Sequence, residues 1–160
     1  MDVVAHFLWT FALYFKRKER WLAALFGVLP DILSFGPFFI VNLLFQGLKF
    51  GKPEVSSIPP YIFTIYNLTH SLIIFLFVFC LVFLLTKKVH YFLGGWLLHI
   101  LIDIPTHTKE FFPTPFLWPI SDFKVSIFSW GTPWFMILNY TSLLFVYFYI
   151  SLRKKNRHHR

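Results

Sequence analysis

Cysteine is all but absent from this chain: Cys80 stands alone in an apolar run, which excludes a disulfide framework and a thiolate metal-ligand set. Charge is scarce too, at 14% of residues, and only seven of those residues are acidic against fifteen Lys and Arg. With 57% hydrophobic and 22% aromatic residues and a mean hydropathy of +0.63, the 160 residues lack the polar surface to cover a water-soluble globule. One membrane-embedded helical domain is expected over residues 1–152, followed by a basic cytoplasmic tail at 153–160. Also missing is any basic residue ahead of the first apolar run, which starts at Asp2 and precedes Lys16-Arg17-Lys18-Glu19-Arg20. A cleavable signal peptide has the reverse order and a small-residue cleavage site, so this segment is expected to stay.

What is present is a series of apolar runs, at 2–15, 21–29, 34–45, 66–86, 89–104 and 133–152, of which only the fourth and sixth reach the ~20 residues that cross a bilayer unaided. The expected fold class is all-α, a polytopic membrane bundle of about five helices with an interfacial or re-entrant segment and an aromatic-rich outer loop. Lys and Arg fix the orientation. If 16–20, Lys87-Lys88 and the tail from Arg153 are cytoplasmic, that side holds eleven of the fifteen basic residues and one acid, Glu19. The N-terminus then faces outward and the C-terminus is cytoplasmic. A separate crossing by 34–45 would put Lys87-Lys88 on the wrong side, so this run is read as lying on the outer side, broken at Gly36-Pro37. The stretch 46–60, with three prolines, reads as an irregular surface loop.

The polar residues are placed by that orientation. His99 and Asp103 are four apart, on one face of one helix, and Pro105 should end that helix and leave His107 in the loop beyond. His6, Asp31 and His70 come to the same outer side. A carboxylate at the centre of a membrane helix costs roughly 2.5 to 3.5 kcal/mol, so Asp31 and Asp103 require compensation. Imidazole and carboxylate together are the donor set of zinc and its first-row neighbours, and a cation neutralises both acids at once. Gly94, Gly95 and Gly27 would let neighbouring helices approach closely enough to bring these donors together. His90, beside Lys88, reads as interfacial, and His158 and His159 belong to the basic tail, whose expected contact is anionic lipid.

Downstream lies THTKEFFPTPFLWPISDFKVSIFSWGTPWF, too irregular for a span and too aromatic for a free loop. It is expected in the headgroup zone, with Trp118, Trp130 and Trp134 as interfacial anchors or as a lid over the polar cluster. Nucleic acid is not an expected partner, because the positive excess lies on the side that faces lipid.

Four motifs in order, AHFLWT, VLPDILS, LTHSLIIF and Gly-Gly-x-x-x-His-x-x-x-Asp-x-x-Thr-His, carry a resemblance. Across 6–107 the chain resembles the small bacterial membrane-bound, metal-dependent hydrolases, a family with LexA-regulated inner-membrane members. That family is in turn similar to zinc-dependent phospholipases C and single-strand nucleases. The resemblance implies an inner-membrane location and metal-ligand roles for His6, Asp31, His70, His99 and Asp103, with His107 close by. Ser34, and no second acid, follows Asp31, where that family often has one.

Five or six candidate donors exceed the three protein ligands of a typical catalytic zinc, so one or two divalent ions are expected, zinc first, with manganese or iron as alternatives. Phosphoester hydrolysis of a lipid or another membrane-associated substrate fits such a centre best, with Asp103 as a bridging ligand and His107 as proton donor to the leaving group. Two other classes compete. A non-catalytic protein clamped by a structural metal would have a closed donor sphere. A permeation pathway would need polar residues in the inner halves of the helices, and Phe77 to Leu85 has none.

Overall fold

The computed structural model describes residues 1–47 and 54–158. The middle of the expected 46–60 loop, and His159 and Arg160 of the expected tail, lie outside the described residues. Among those described, the chain is all-helical: α1 (Val3–Leu13), α2 (Arg20–Gln46), α3 (Pro60–Thr69), α4 (Leu72–Thr86), α5 (Gly94–Thr106) and α6 (Pro133–His158). Short 3-10 turns precede α3 and α5, at Val55–Ser57 and Tyr91–Leu93.

Two helical segments, Arg20–Phe45 in α2 and Pro133–Lys155 in α6, are long and apolar enough to cross a membrane. At ~1.5 Å per residue each exceeds the ~30 Å hydrocarbon core. α3 and α4 make a third candidate only as a pair, because they meet at a 57° bend. α1 and α5 are shorter apolar helices that pack on α2. Large side chains such as Leu85 on α4 and Leu144 and Phe145 on α6 are exposed, as a lipid-facing surface requires.

Three expectations change. Residues 34–45 are not a separate segment: α2 runs unbroken through Pro30 and Pro37. Proline is tolerated in apolar helices that pack on their neighbours, as α2 does on α1, α3 and α5. As one helix, α2 is long enough for one crossing, and residues 34–45 no longer require a second one ahead of Lys87-Lys88. The run 66–86 is not one straight helix but breaks at His70-Ser71, where Ser71 caps α4 by accepting from the amides of Ile73 and Ile74. Finally, residues 153–158 of the expected basic tail are helical and continue α6.

The basic clusters gather at one end. Arg17 stacks over the Tyr91 ring, next to Lys87-Lys88, and Tyr14 donates to the Tyr91 carbonyl at 2.9 Å. α6 runs alongside α1 in the same direction, with Tyr140 bonded to Asp2 and Tyr147 to the Leu8 carbonyl. Its basic C-terminal end is therefore carried toward the Lys16–Arg20 end of α1.

Candidate metal centre

α5 sits close against α2 because Gly95 allows it. A Cβ at Gly95 would lie 2.0 Å from the Ala23 carbonyl oxygen and 3.1 Å from the Gly27 nitrogen, so no larger residue fits without parting the two helices. The close approach lets His99 reach across to α2, with Nδ1 2.8 Å from the Gly27 carbonyl oxygen. A carbonyl only accepts, so Nδ1 carries the proton and Nε2 holds a lone pair.

His70 is aimed by the helix break. It caps α3, and its Nδ1 lies 3.1 Å from the Tyr66 carbonyl oxygen, while its ring stacks on Tyr66 with centroids 3.8 Å apart. The bend is held from outside by the Phe116 carbonyl, which accepts from the Leu72 amide at 2.9 Å. The Trp118 carbonyl takes the Ser71 hydroxyl, and Trp96 donates to the Thr69 carbonyl at 2.6 Å. His107, just past α5, is set the same way, with Nδ1 2.8 Å from the Phe112 carbonyl oxygen. Three imidazoles thus spend Nδ1–H on main-chain carbonyls and turn Nε2 inward.

What they face is Asp103, fully buried at the centre of the group. Its Oδ2 lies 3.2 Å from His99 Nε2, 3.4 Å from His107 Nε2 and 3.7 Å from His70 Nε2. It has no hydrogen-bond donor. Asp31, from mid-α2, brings Oδ1 to 3.5 Å from His70 Nε2 and 3.8 Å from His99 Nε2. His70 Nε2 and His99 Nε2 are 3.0 Å apart. One donor atom from each of Asp31, His70, His99 and Asp103 lies within 4.8 Å of all the others. Donors ~2.0 to 2.1 Å from a tetrahedral zinc are separated by roughly 3.3 Å, so this spacing suits a small divalent cation. Buried carboxylates need a positive partner; the Met1 amine meets Asp103 at Oδ1, and a bound cation would meet Oδ2 and Asp31.

All six residues singled out from sequence are brought together, in different positions. Asp31, His70, His99 and Asp103 form the mutually close group. His6 lies beyond it, with Nε2 3.0 Å from Asp103 Oδ1 and its ring stacked on His99 at 3.8 Å. His107 reaches the group through Asp103 and also lies 3.3 Å from the Met1 amine, which itself contacts Asp103 Oδ1. Sequence reasoning missed Tyr66, whose hydroxyl donates to the Phe112 carbonyl at 2.8 Å, and the main-chain carbonyls that set the imidazole tautomers. A tyrosine one turn before His70 was the available signal; the carbonyls have none.

A cavity of about 550 Å³ opens beside the group, with Asp31 and His107 in its wall. Phe111 and Trp130 line it from the aromatic segment. That segment is pinned over the end of α5 by hydrogen bonds from the Phe128 amide to the Pro105 carbonyl and from the Trp130 amide to the Thr106 carbonyl. The main chain of Trp118 serves the α3–α4 break, where its carbonyl accepts from Ser71. Comparison with family models, characterised proteins and solved structures finds no match to this chain.

Proposed function

We propose that this chain is a membrane-bound, metal-dependent hydrolase that cleaves a phosphoester of a lipid or another membrane-associated substrate. The observation that carries the reading is the sharing of residues between donor group and cavity: Asp31 belongs to both, and His107 joins Asp103 to the cavity wall. A purely structural centre has no need of such an opening. The four sequence motifs give the same direction, and the reading places the centre toward the outer leaflet of a bacterial inner membrane.

Asp31, His70, His99 and Asp103 would hold the ion, zinc first for this donor set, with manganese or iron next and a second ion accommodated if Asp103 bridges. Once bound, such a cation polarises a phosphoryl oxygen and makes a neighbouring water more acidic. In the overall reaction a water oxygen bonds to phosphorus, the ester P–O bond breaks, and the departing oxygen takes a proton. His107, in the cavity wall, is placed to supply that proton. Its Nδ1–H stays on the Phe112 carbonyl, which leaves Nε2 as the atom that would pass the proton to the leaving oxygen. His6 steadies Asp103 through Oδ1, and the apolar surroundings exclude bulk water.

The test is metal analysis of the purified protein together with lipid hydrolysis in detergent, read as phosphate release from phosphomonoester lipids and as phosphomonoester release from phosphodiester lipids, for the native chain and Asp103→Ala. Metal and release both present in the native chain, and both lost in the variant, are expected. Metal bound without release from any phospholipid would replace this reading with a structural clamp.

A further inference from the structure

The cavity wall is mixed in chemistry. Met1, Asp2, Asp31 and His107 bring its polar groups, and along α2 the wall continues from Asp31 through Ile32, Phe35, Gly36 and Phe39. These positions fall on one helix face, so they form a strip leading away from Asp31 for about 10 Å along the axis. α2 is one of the helices able to cross a membrane, and Ile32 and Phe39 are 44% and 52% exposed. The strip is therefore not sealed by protein and borders the space that lipid fills.

Gly36 keeps the strip low. Glycine is disfavoured inside helices, and neither backbone nor packing demands it here: a Cβ at Gly36 would meet nothing closer than Ile32 Cγ2, at 3.6 Å. Gly95 is the opposite case, since there the neighbouring main chain forbids a side chain. What Gly36 leaves is empty cavity at the middle of an aromatic and aliphatic strip.

Resting on the hydrolase reading, we infer that the substrate is a single amphiphile whose phosphate sits at the Asp31–His107 end while a long hydrocarbon chain lies over Gly36 along 32–39. A water-soluble phosphoester would leave this apolar strip uncovered. A hydrocarbon chain matches it in polarity. Gly36 is then the residue that sets chain-length preference.

The experiment uses the full chain in detergent or nanodiscs, with n-alkyl phosphates from butyl to tetradecyl as probes. Each methylene added to the buried chain is expected to raise kcat/KM about fourfold until the strip is filled. Gly36→Phe, with Gly36→Leu as a second variant, flattens that dependence, while metal content reports that the fold is intact. A parallel arm uses an alkyl phosphate carrying a mid-chain diazirine, with photo-adducts expected within 32–39 in the native chain and not in Gly36→Phe. Release that does not vary with chain length, or adducts elsewhere, overturns the strip and leaves the hydrolase reading in place. Adducts on the strip without phosphate release keep the chain-binding strip and overturn the hydrolase reading; neither signal overturns both.

Discussion

His70 Nε2 and His99 Nε2 stand 3.0 Å apart, and both rings have already given their Nδ1–H to main-chain carbonyls, of Tyr66 and Gly27. With both Nε2 atoms unprotonated, the two rings would oppose lone pair to lone pair. A cation converts that repulsion into two bonds, and the carbonyls that fix the tautomers are as much a part of the centre as the rings.

Metal content is the first consequence. His99→Ala and Asp103→Ala each remove a central donor and are expected to weaken metal binding by more than the ~10- to 100-fold typical of an outer-shell change. Elemental analysis after dialysis against a weak chelator measures this. The native protein should melt higher with metal than without, and the variants should not.

Gly95→Ala should be far more damaging than Gly36→Ala. The first places a Cβ 2.0 Å from a carbonyl oxygen and pushes α5 off α2, an overpacking cost of roughly 1 to 3 kcal/mol that also pulls His99 from the Gly27 carbonyl. The second adds a methyl group at ordinary contact distance. Thermal unfolding in detergent, read beside metal affinity, separates them; equal melting temperatures would contradict the close packing.

Ser71→Ala removes the α4 cap and the hydroxyl bonded to the Trp118 carbonyl. A lost cap costs about 0.5 to 2 kcal/mol, and here the loss should also let His70 drift. Stability and metal affinity should fall together, whereas Ser71→Thr, which keeps a capping oxygen, should recover much of both.

His107→Gln should divide binding from turnover. His107 lies outside the four mutually close donors, so metal content is expected to persist while phosphate release falls by ~10²- to 10⁴-fold, the usual range for losing a general acid. Asp31→Asn, by contrast, should lower both. Loss of metal in His107→Gln would make His107 a ligand instead.

The meeting of His6, Asp31, His70, His99, Asp103 and His107 was legible because buried polar residues are rare in so apolar a chain, and Lys and Arg place them on one side. Local breakers misled. Pro30, Gly36 and Pro37 argue for a broken segment, yet α2 continues, since an apolar helix packed on its neighbours tolerates proline. The real break, at His70-Ser71, carries no proline or glycine, and what holds it is Phe116, Trp118 and Trp96, all far along the chain. Pro105 lies within α5, which ends one residue later at Thr106, so His107 stands just past the helix as its sequence implies.

The four donors sit at positions 31, 70, 99 and 103, on α2, at the α3–α4 break and on α5. No fragment ending before α5 can contain a complete set. An ion held by this set would tie together stretches of chain separated by dozens of residues, restricting the unfolded chain much as a crosslink would. Metal uptake would then report that α5 has packed onto α2.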